Sequence, residues 1–475
     1  MSLRSRALLT IGAAVLGCSG VTALAAPASA AEPGPSAPTA DIDGDGGADL
    51  VAGTPGTSGG TGSLTVLPGG AQGPASGAQK TLTQSSPGVP GNSEAGDNWA
   101  AATATGDING DGYADLAIGA PGEDDTTGHK DRGAVTILYG PALTSGTDMQ
   151  LADDFHMPGA RFGSAVAVGD FNADGKADVF AASTGTGGTW SARLSETHEV
   201  GGSLTTQDSS IAYEDAASGD FNHDGYADVA LTYRDQAGKG RVTWFKGTRS
   251  GLSRVGVLPV AGGRSIASAD VTADGHDDLV IGQPYTSESG AHAGGQVTVL
   301  PGSPTGPTST GLTTVHQSSP GVPGAAEAGD ALGWSVAAAD VDGDGHADVL
   351  AGAPGEDITR AGTARKDAGT SLLFKGTASG LTGTGALAIS QDEPDVPGST
   401  ESGDRLGSSV SLANFATTDG RADLAIGVDG EDAGDGTILQ LDSGSSGVAL
   451  AGGVYYGRAA LGTPAGAHVG GSLTP

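Results

Sequence analysis

The apolar residues of this chain come in short runs rather than along helical faces. Residues 162–168 and 332–337 mix small and apolar side chains, 116–119 form a compact apolar run, 135–139 and 297–300 alternate or run apolar, and 80–83 make a weaker fourth type. Gly and Pro turns bound each run, and short β-favouring segments bounded in this way are strand signals. Beyond the N-terminal stretch, no segment supports a long helix. The four kinds of run recur in order, which predicts an all-β protein built from repeated four-stranded units.

Between the first and second strand of each unit lies an acidic loop of nine residues, D-x-[DNT]-x-D-G-x-x-D. It starts at Asp41, Asp107, Asp170, Asp220, Asp270 and Asp340, with a degraded seventh copy from Asn414. The starts are 50 to 74 residues apart, a spacing suited to a propeller blade with variable loops, so seven loops predict seven blades. Short oxygen side chains at alternate positions, with a glycine permitting a sharp turn, can wrap several hard ligands around one Ca2+. An EF-hand would need an acid at the twelfth position, where Ala52, Ile118 and Ile281 stand instead. Asp-Gly is also a common turn dipeptide, but an ordinary turn does not require oxygen donors at such fixed offsets.

The first unit has no strand before Asp41, whereas residues 467–474 match the pre-loop segment 404–411 in register. The missing strand of blade one is therefore expected from the C-terminus, closing the ring and leaving no wide sheet edge.

Composition changes the picture in two ways. The formal charge is −33, and −35 without residues 1–30, which argues against nucleic acid or an anionic membrane as partner. Twenty of the 55 acids are aspartates at alternate positions of the intact loops, where bound cations would neutralise them. Residues 1–30 read as a secretory signal peptide: Arg4 and Arg6 precede an apolar stretch, and Ala28-Ser29-Ala30 forms a small-residue cleavage site. A lipoprotein reading at Cys18 is the alternative, less suited by Leu16 and by the apolar stretch that continues past it. Cys18 falls in the removed segment, so the expected product, residues 31–475, is a single exported domain without disulfides. No later stretch reaches the length of a membrane span.

Phe162-Gly163 before a loop, the loop itself, and Gly119-Ala120-Pro121 or Gly352-Ala353-Pro354 after it together resemble the FG-GAP repeat of the integrin alpha-chain propeller. The resemblance implies a seven-bladed propeller with structural Ca2+ in about six loops and recognition at the opposite face. Its side-chain ligands would be Asp41, Asp43, Asp45 and Asp49; Asp107, Asn109, Asp111 and Asp115; Asp170, Asn172, Asp174 and Asp178; Asp220, Asn222, Asp224 and Asp228; Asp270, Thr272, Asp274 and Asp278; and Asp340, Asp342, Asp344 and Asp348. The seventh residue of each loop would add its backbone carbonyl. Thr272 should weaken the fifth site, and the seventh loop, with Asn414, Ala416, Asp419 and Asp423, should bind little or nothing. Blade four carries Tyr213 where the Phe-Gly glycine would fall, and blades three and four lack the post-loop proline.

A second acidic theme occurs in the long repeats. Glu94 and Asp97, Glu327 and Asp330, and Glu401 and Asp404 precede the first strand; Glu123, Asp124, Glu356, Asp357, Glu431 and Asp432 follow the second. Solvated loop acids are the expectation in so acidic a chain, with an extra cation or ligand site as the alternative. Gly56–Gly60 matches G-x-S-x-G only formally, because no helix follows to form a nucleophile elbow. The histidines lack zinc spacing and read as surface residues. Trp99 and Trp334 are expected to pack in the core, whereas Trp190 and Trp244 are ambiguous. No catalytic residue emerges. The chain reads as a monomeric, secreted, calcium-binding adhesion or binding module for an extracellular protein or polysaccharide, with an extracellular hydrolase or lyase as the alternative.

Overall fold

Gly and Pro cut the chain into strands too short to stand alone, and each must bury its apolar side chains against a neighbouring sheet. The computed structural model describes residues 40–474, leaving out 72, 126–127, 152–157, 186–187, 196–197, 206–209, 361 and 417–418. The expected signal peptide and Cys18 lie outside the described residues. Seven four-stranded antiparallel sheets follow one another in chain order. Blade two is typical, running Ala102–Gly106, Asp115–Ala120, Ala134–Leu138 and Gly146–Met149. The first strands of neighbouring blades touch all the way round, so they line the axis of a closed, seven-bladed β-propeller.

Closure occurs as the repeat predicts. Ser472–Thr474 pairs antiparallel with Leu50–Gly53, setting Val51 opposite Thr474 and Gly53 opposite Ser472. The Thr103 and Thr474 hydroxyls meet at 2.6 Å, and Ser409 donates to the Gly470 carbonyl at 2.6 Å, so the last residues join blades seven and two as well as blade one. One expected strand differs: blade six begins its first strand at Val336 rather than Leu332.

The core is divided into seven apolar clusters, one between each pair of adjacent blades. The second residue of the acidic loops contributes to this seal. Ile42, Phe171, Phe221, Val271, Val341 and Phe415 are at most 2 % exposed, each burying a side chain worth about 1.5–3 kcal/mol. Among the described residues, helices are single turns of four residues. The strand ends thus present the acidic loops on one face of the ring and the loops between strands two and three on the other.

Candidate functional site

The acidic loops share one hydrogen-bond plan. The first aspartate turns its carboxylate back into its own loop: Asp41 Oδ1 accepts the N–H groups of Gly44 and Asp45, and Oδ2 accepts that of Gly46. Asp107, Asp170, Asp220, Asp270 and Asp340 likewise accept the N–H of the sixth-position glycine of their loops. The fifth residue caps the seventh, as Asp111 does for the Tyr113 N–H. A ring of backbone bonds also joins the loops. The N–H of the eighth residue donates to the carbonyl of the first loop residue in the preceding blade, from Ala48 to Asn414, Ala114 to Asp41, Ala177 to Asp107, and onward through Ala422 to Asp340.

The ninth aspartate has a structural task that the motif alone does not reveal. Asp49 accepts the Ile42 N–H with one oxygen and the Gly69 N–H, just past the third strand, with the other. Asp115 and Asp278 repeat the arrangement with Gly140 and Gly302. Burial pushes the pKa of Asp49 and Asp115 up to about 6 despite these bonds, and that of Asp178 up to about 8, with Asp170 and Asp174 adding like-charge repulsion. Buried carboxylates beside other carboxylates are costly as anions unless a cation joins them.

The donor set fits a hard cation. In loop one, oxygens of Asp41, Asp43 and Asp49 lie within 4.8 Å of one another, as do those of Asp340, Asp342 and Asp348 in loop six. In loops three and four the third-position oxygens, Asn172 Oδ1 and Asn222 Oδ1, are buried without a hydrogen-bond partner. Loop six differs from loop one in having a built-in cation, since Lys375 Nζ lies 2.8 Å from Asp342 and 3.0 Å from Asp348. In the degraded loop seven, Arg421 pairs with Asp419 at 2.9 Å, while Asp423 keeps the ninth-position bonds to Ala416 and Ser443.

The first strands enclose an axial cavity of about 670 Å³. At its mouth, where those strands begin, a pocket of about 330 Å³ is lined by Tyr213, Glu214, Arg264 and Trp334, among others. The Arg264 guanidinium lies 3.4 Å over the Tyr213 ring and is held in a two-bond pair by Glu288. Tyr285 meets Trp334 edge-on at 6.2 Å. Beneath this rim, both carboxyl oxygens of Glu214 are enclosed without a partner, and burial pushes its pKa up to about 8. The neighbouring Asp215 is committed elsewhere, accepting the N–H groups of Ile266 and Ala216.

The FG-GAP repeat family matches residues 99–138, 162–191 and 332–374, and an FG-GAP-like repeat family matches residues 220–281. Together with the seven-bladed ring, this decides the family. The chain is an FG-GAP β-propeller. Over 260 residues, 53 % of this chain, it is 29 % identical to integrin alpha pat-2 of Caenorhabditis briggsae, of which the match covers 17 %. Over 211 residues, 41 % of this chain, it is 28 % identical to human phosphatidylinositol-glycan-specific phospholipase D. The matched stretch spans 19 % of that relative's length. Among solved structures, the BP39L lectin from Burkholderia pseudomallei aligns over 86 % of this chain and 97 % of its own at 13 % identity, with a TM-score of 0.43.

The geometry explains the two motifs of an FG-GAP propeller. A Cβ on Gly119 would lie 2.1 Å from the carbonyl oxygen of Gly163, so the glycine after one loop and the glycine before the next allow neighbouring blades to touch backbone to backbone. This propeller keeps both glycines at four junctions, loses one at two others, where Ala100 and Thr232 stand instead, and loses both between blades three and four. Ala182 replaces the first glycine, and Tyr213 replaces the second while keeping its left-handed backbone at φ 55°. That exception puts the Tyr213 ring at the mouth. Two sequence expectations change here. Trp334 lines the mouth and is not a core residue, whereas Trp99, Trp190 and Trp244 are buried. Nor are all histidines isolated surface groups, since the half-buried rings of His292 and His316 stack at 4.0 Å.

Proposed function

We propose that this propeller is a non-catalytic binding module, stiffened by Ca2+ in its acidic loops, that seats a ligand at the axial mouth on the opposite face. The observation carrying this reading is the coincidence of irregularity and chemistry. The junction that loses both glycines is the one that sets Tyr213 and the partnerless Glu214 at a concave opening that Arg264 and Trp334 also line. Local rules broken at a cost mark functional sites more often than structural ones. Aromatic faces beside a guanidinium suit an extracellular protein or a polysaccharide.

A second reading, an extracellular hydrolase or lyase, draws on Glu214 as a carboxyl that stays protonated near neutral pH, as a general acid must. Acid–base work on a glycosidic bond calls for a second free carboxylate, and Asp215 is occupied by backbone N–H groups. Affinity capture from culture medium and cell-wall extract, in Ca2+ and in chelator, tests the proposal. A partner retained by the wild-type chain and lost with Trp334→Ala supports the mouth. Turnover of a polysaccharide substrate abolished by Glu214→Gln would replace binding with catalysis.

A further inference from the structure

Basic side chains gather on one sector of this acidic ring. Between the fourth and fifth acidic loops, residues 229–269 carry seven lysines and arginines and a single acid, Asp235, in a chain of formal charge −33. On the mouth face the loops between strands two and three of blades two, six and seven hold Glu123, Asp124, Glu356, Asp357, Glu431 and Asp432 instead. One face thus has an acidic side and a basic side, and a charged ligand is steered to the side of opposite sign.

Two hollows meet in the basic sector. The mouth pocket of about 330 Å³ shares Tyr213 and Glu214 with a second hollow of about 300 Å³, which Arg161, Ser164 and Thr184 also line. Tyr213, 50 % exposed, therefore stands between two adjacent cavities, each with its own arginine. Arg161 is exposed and makes no ion pair among the described residues. In the other hollow Arg234 and Arg264 lie 4.6 Å and 3.4 Å from the Tyr213 ring centre and share one carboxylate, Glu288, so the group keeps a net positive charge. Glu214 does not cancel that charge near neutral pH, because burial pushes its pKa up to about 8.

Guanidinium forks match planar carboxylates, and exposed aromatic rings suit the apolar faces of sugars. An acidic peptide would use the arginines and leave the rings idle, whereas a neutral glycan would use the rings and leave the arginines idle. Two hollows that share one ring fit a ligand that repeats unit by unit. The acids elsewhere on the ring weigh little against direct contact, since exposed charges are screened beyond about 8 Å at physiological salt.

We infer that the mouth takes a carboxylated polysaccharide, with sugar units on both sides of Tyr213 and their carboxylates on Arg161 in one hollow and Arg264 in the other. This deepens the binding-module reading and rests on it.

Isothermal titration of the full chain, loaded with Ca2+ and freed of excess ion, with short oligogalacturonates provides the test. The same oligomers with their carboxyls reduced to alcohols, and polyglutamate, are the comparison arms. The acidic oligomers should bind, and monogalacturonate should bind far more weakly because it fills one hollow only. Arg161→Asn, which suits the left-handed backbone at φ 59°, should weaken the oligomers about tenfold, as should Trp334→Ala. Arg254→Ala, on the outer strand Ser253–Val257, should leave them unchanged. Equal binding of the reduced oligomers, lost with Trp334→Ala, would overturn the inference and keep the mouth as a binding site. Tighter binding of polyglutamate would overturn the sugar. Failure of every acidic oligomer to bind, or binding indifferent to both Arg161→Asn and Trp334→Ala, would overturn it as well.

Discussion

Lys375 places its ammonium 3.0 Å from Asp348 and 2.8 Å from Asp342, within the loop whose three carboxylates converge as closely as those of loop one. Its hydrogen bond and charge hold the Asp342 carboxyl below the usual range. A lysine that neutralises the cluster competes with a metal for it. Lys375→Met should therefore tighten ion binding at loop six by about tenfold, on the scale of one partly screened charge. Isothermal titration of wild type and variant would show this as one site moving to higher affinity, and unchanged isotherms would refute the competition.

The buried Glu214 gives a signed pH dependence. Its folded pKa, about 8, lies above the ordinary 4.5, so the folded protein holds a proton that the unfolded chain releases. The associated stability is complete below about pH 4.5 and is lost as pH rises toward 8, at up to about tenfold in the unfolding constant per pH unit. Glu214→Gln should remove that slope when denaturant midpoints are compared between pH 5 and 8. An equal slope in both proteins would contradict the burial argument.

Two aspartates of loop seven separate metal from scaffold. Asp423 accepts the N–H groups of Ala416 and Ser443, so Asp423→Ala should cost about 2–4 kcal/mol in calcium and in chelator alike. Asp419, exposed and paired with Arg421, should tolerate Asn within about 0.5 kcal/mol. Urea titrations of both variants with and without Ca2+ check this, and a calcium-dependent loss at Asp419 would mean that loop seven binds metal after all.

Removing residues 467–475 strips Ala467 and Val469 from the junction of blades seven and one, and takes a strand from Leu50–Gly53. The expected loss is about 5 kcal/mol or more, comparable with the whole stability of many domains. Thermal unfolding followed by circular dichroism should lose its single sharp transition. A truncated chain melting like the full one would show that closure is dispensable.

The ring was readable in the sequence because its signals are local and repeated: aspartates at the first, fifth and ninth loop positions, a glycine at a fixed offset, and a segment at 467–474 in register with the pre-loop strands. The mouth was not readable in this way. Trp99 stands eight residues before its loop, as Phe162 does, whereas Trp334 stands six before its own, and the ring shows that the first enters a junction core and the second lines the axial opening. Gln84 and Glu123 meet from segments 39 residues apart in two different blades, a pairing that no spacing rule exposes. The ninth aspartate was legible as a possible ligand, but its bond to the end of the third strand depends on how the sheet folds back.

Because the sheet begun at Leu50–Gly53 is finished only by Ser472–Thr474, time is part of this architecture. A chain emerging from the ribosome completes blade two long before blade one, and through most of synthesis it is an open arc with two raw ends. The two ends can meet only once residues 472–474 have been made.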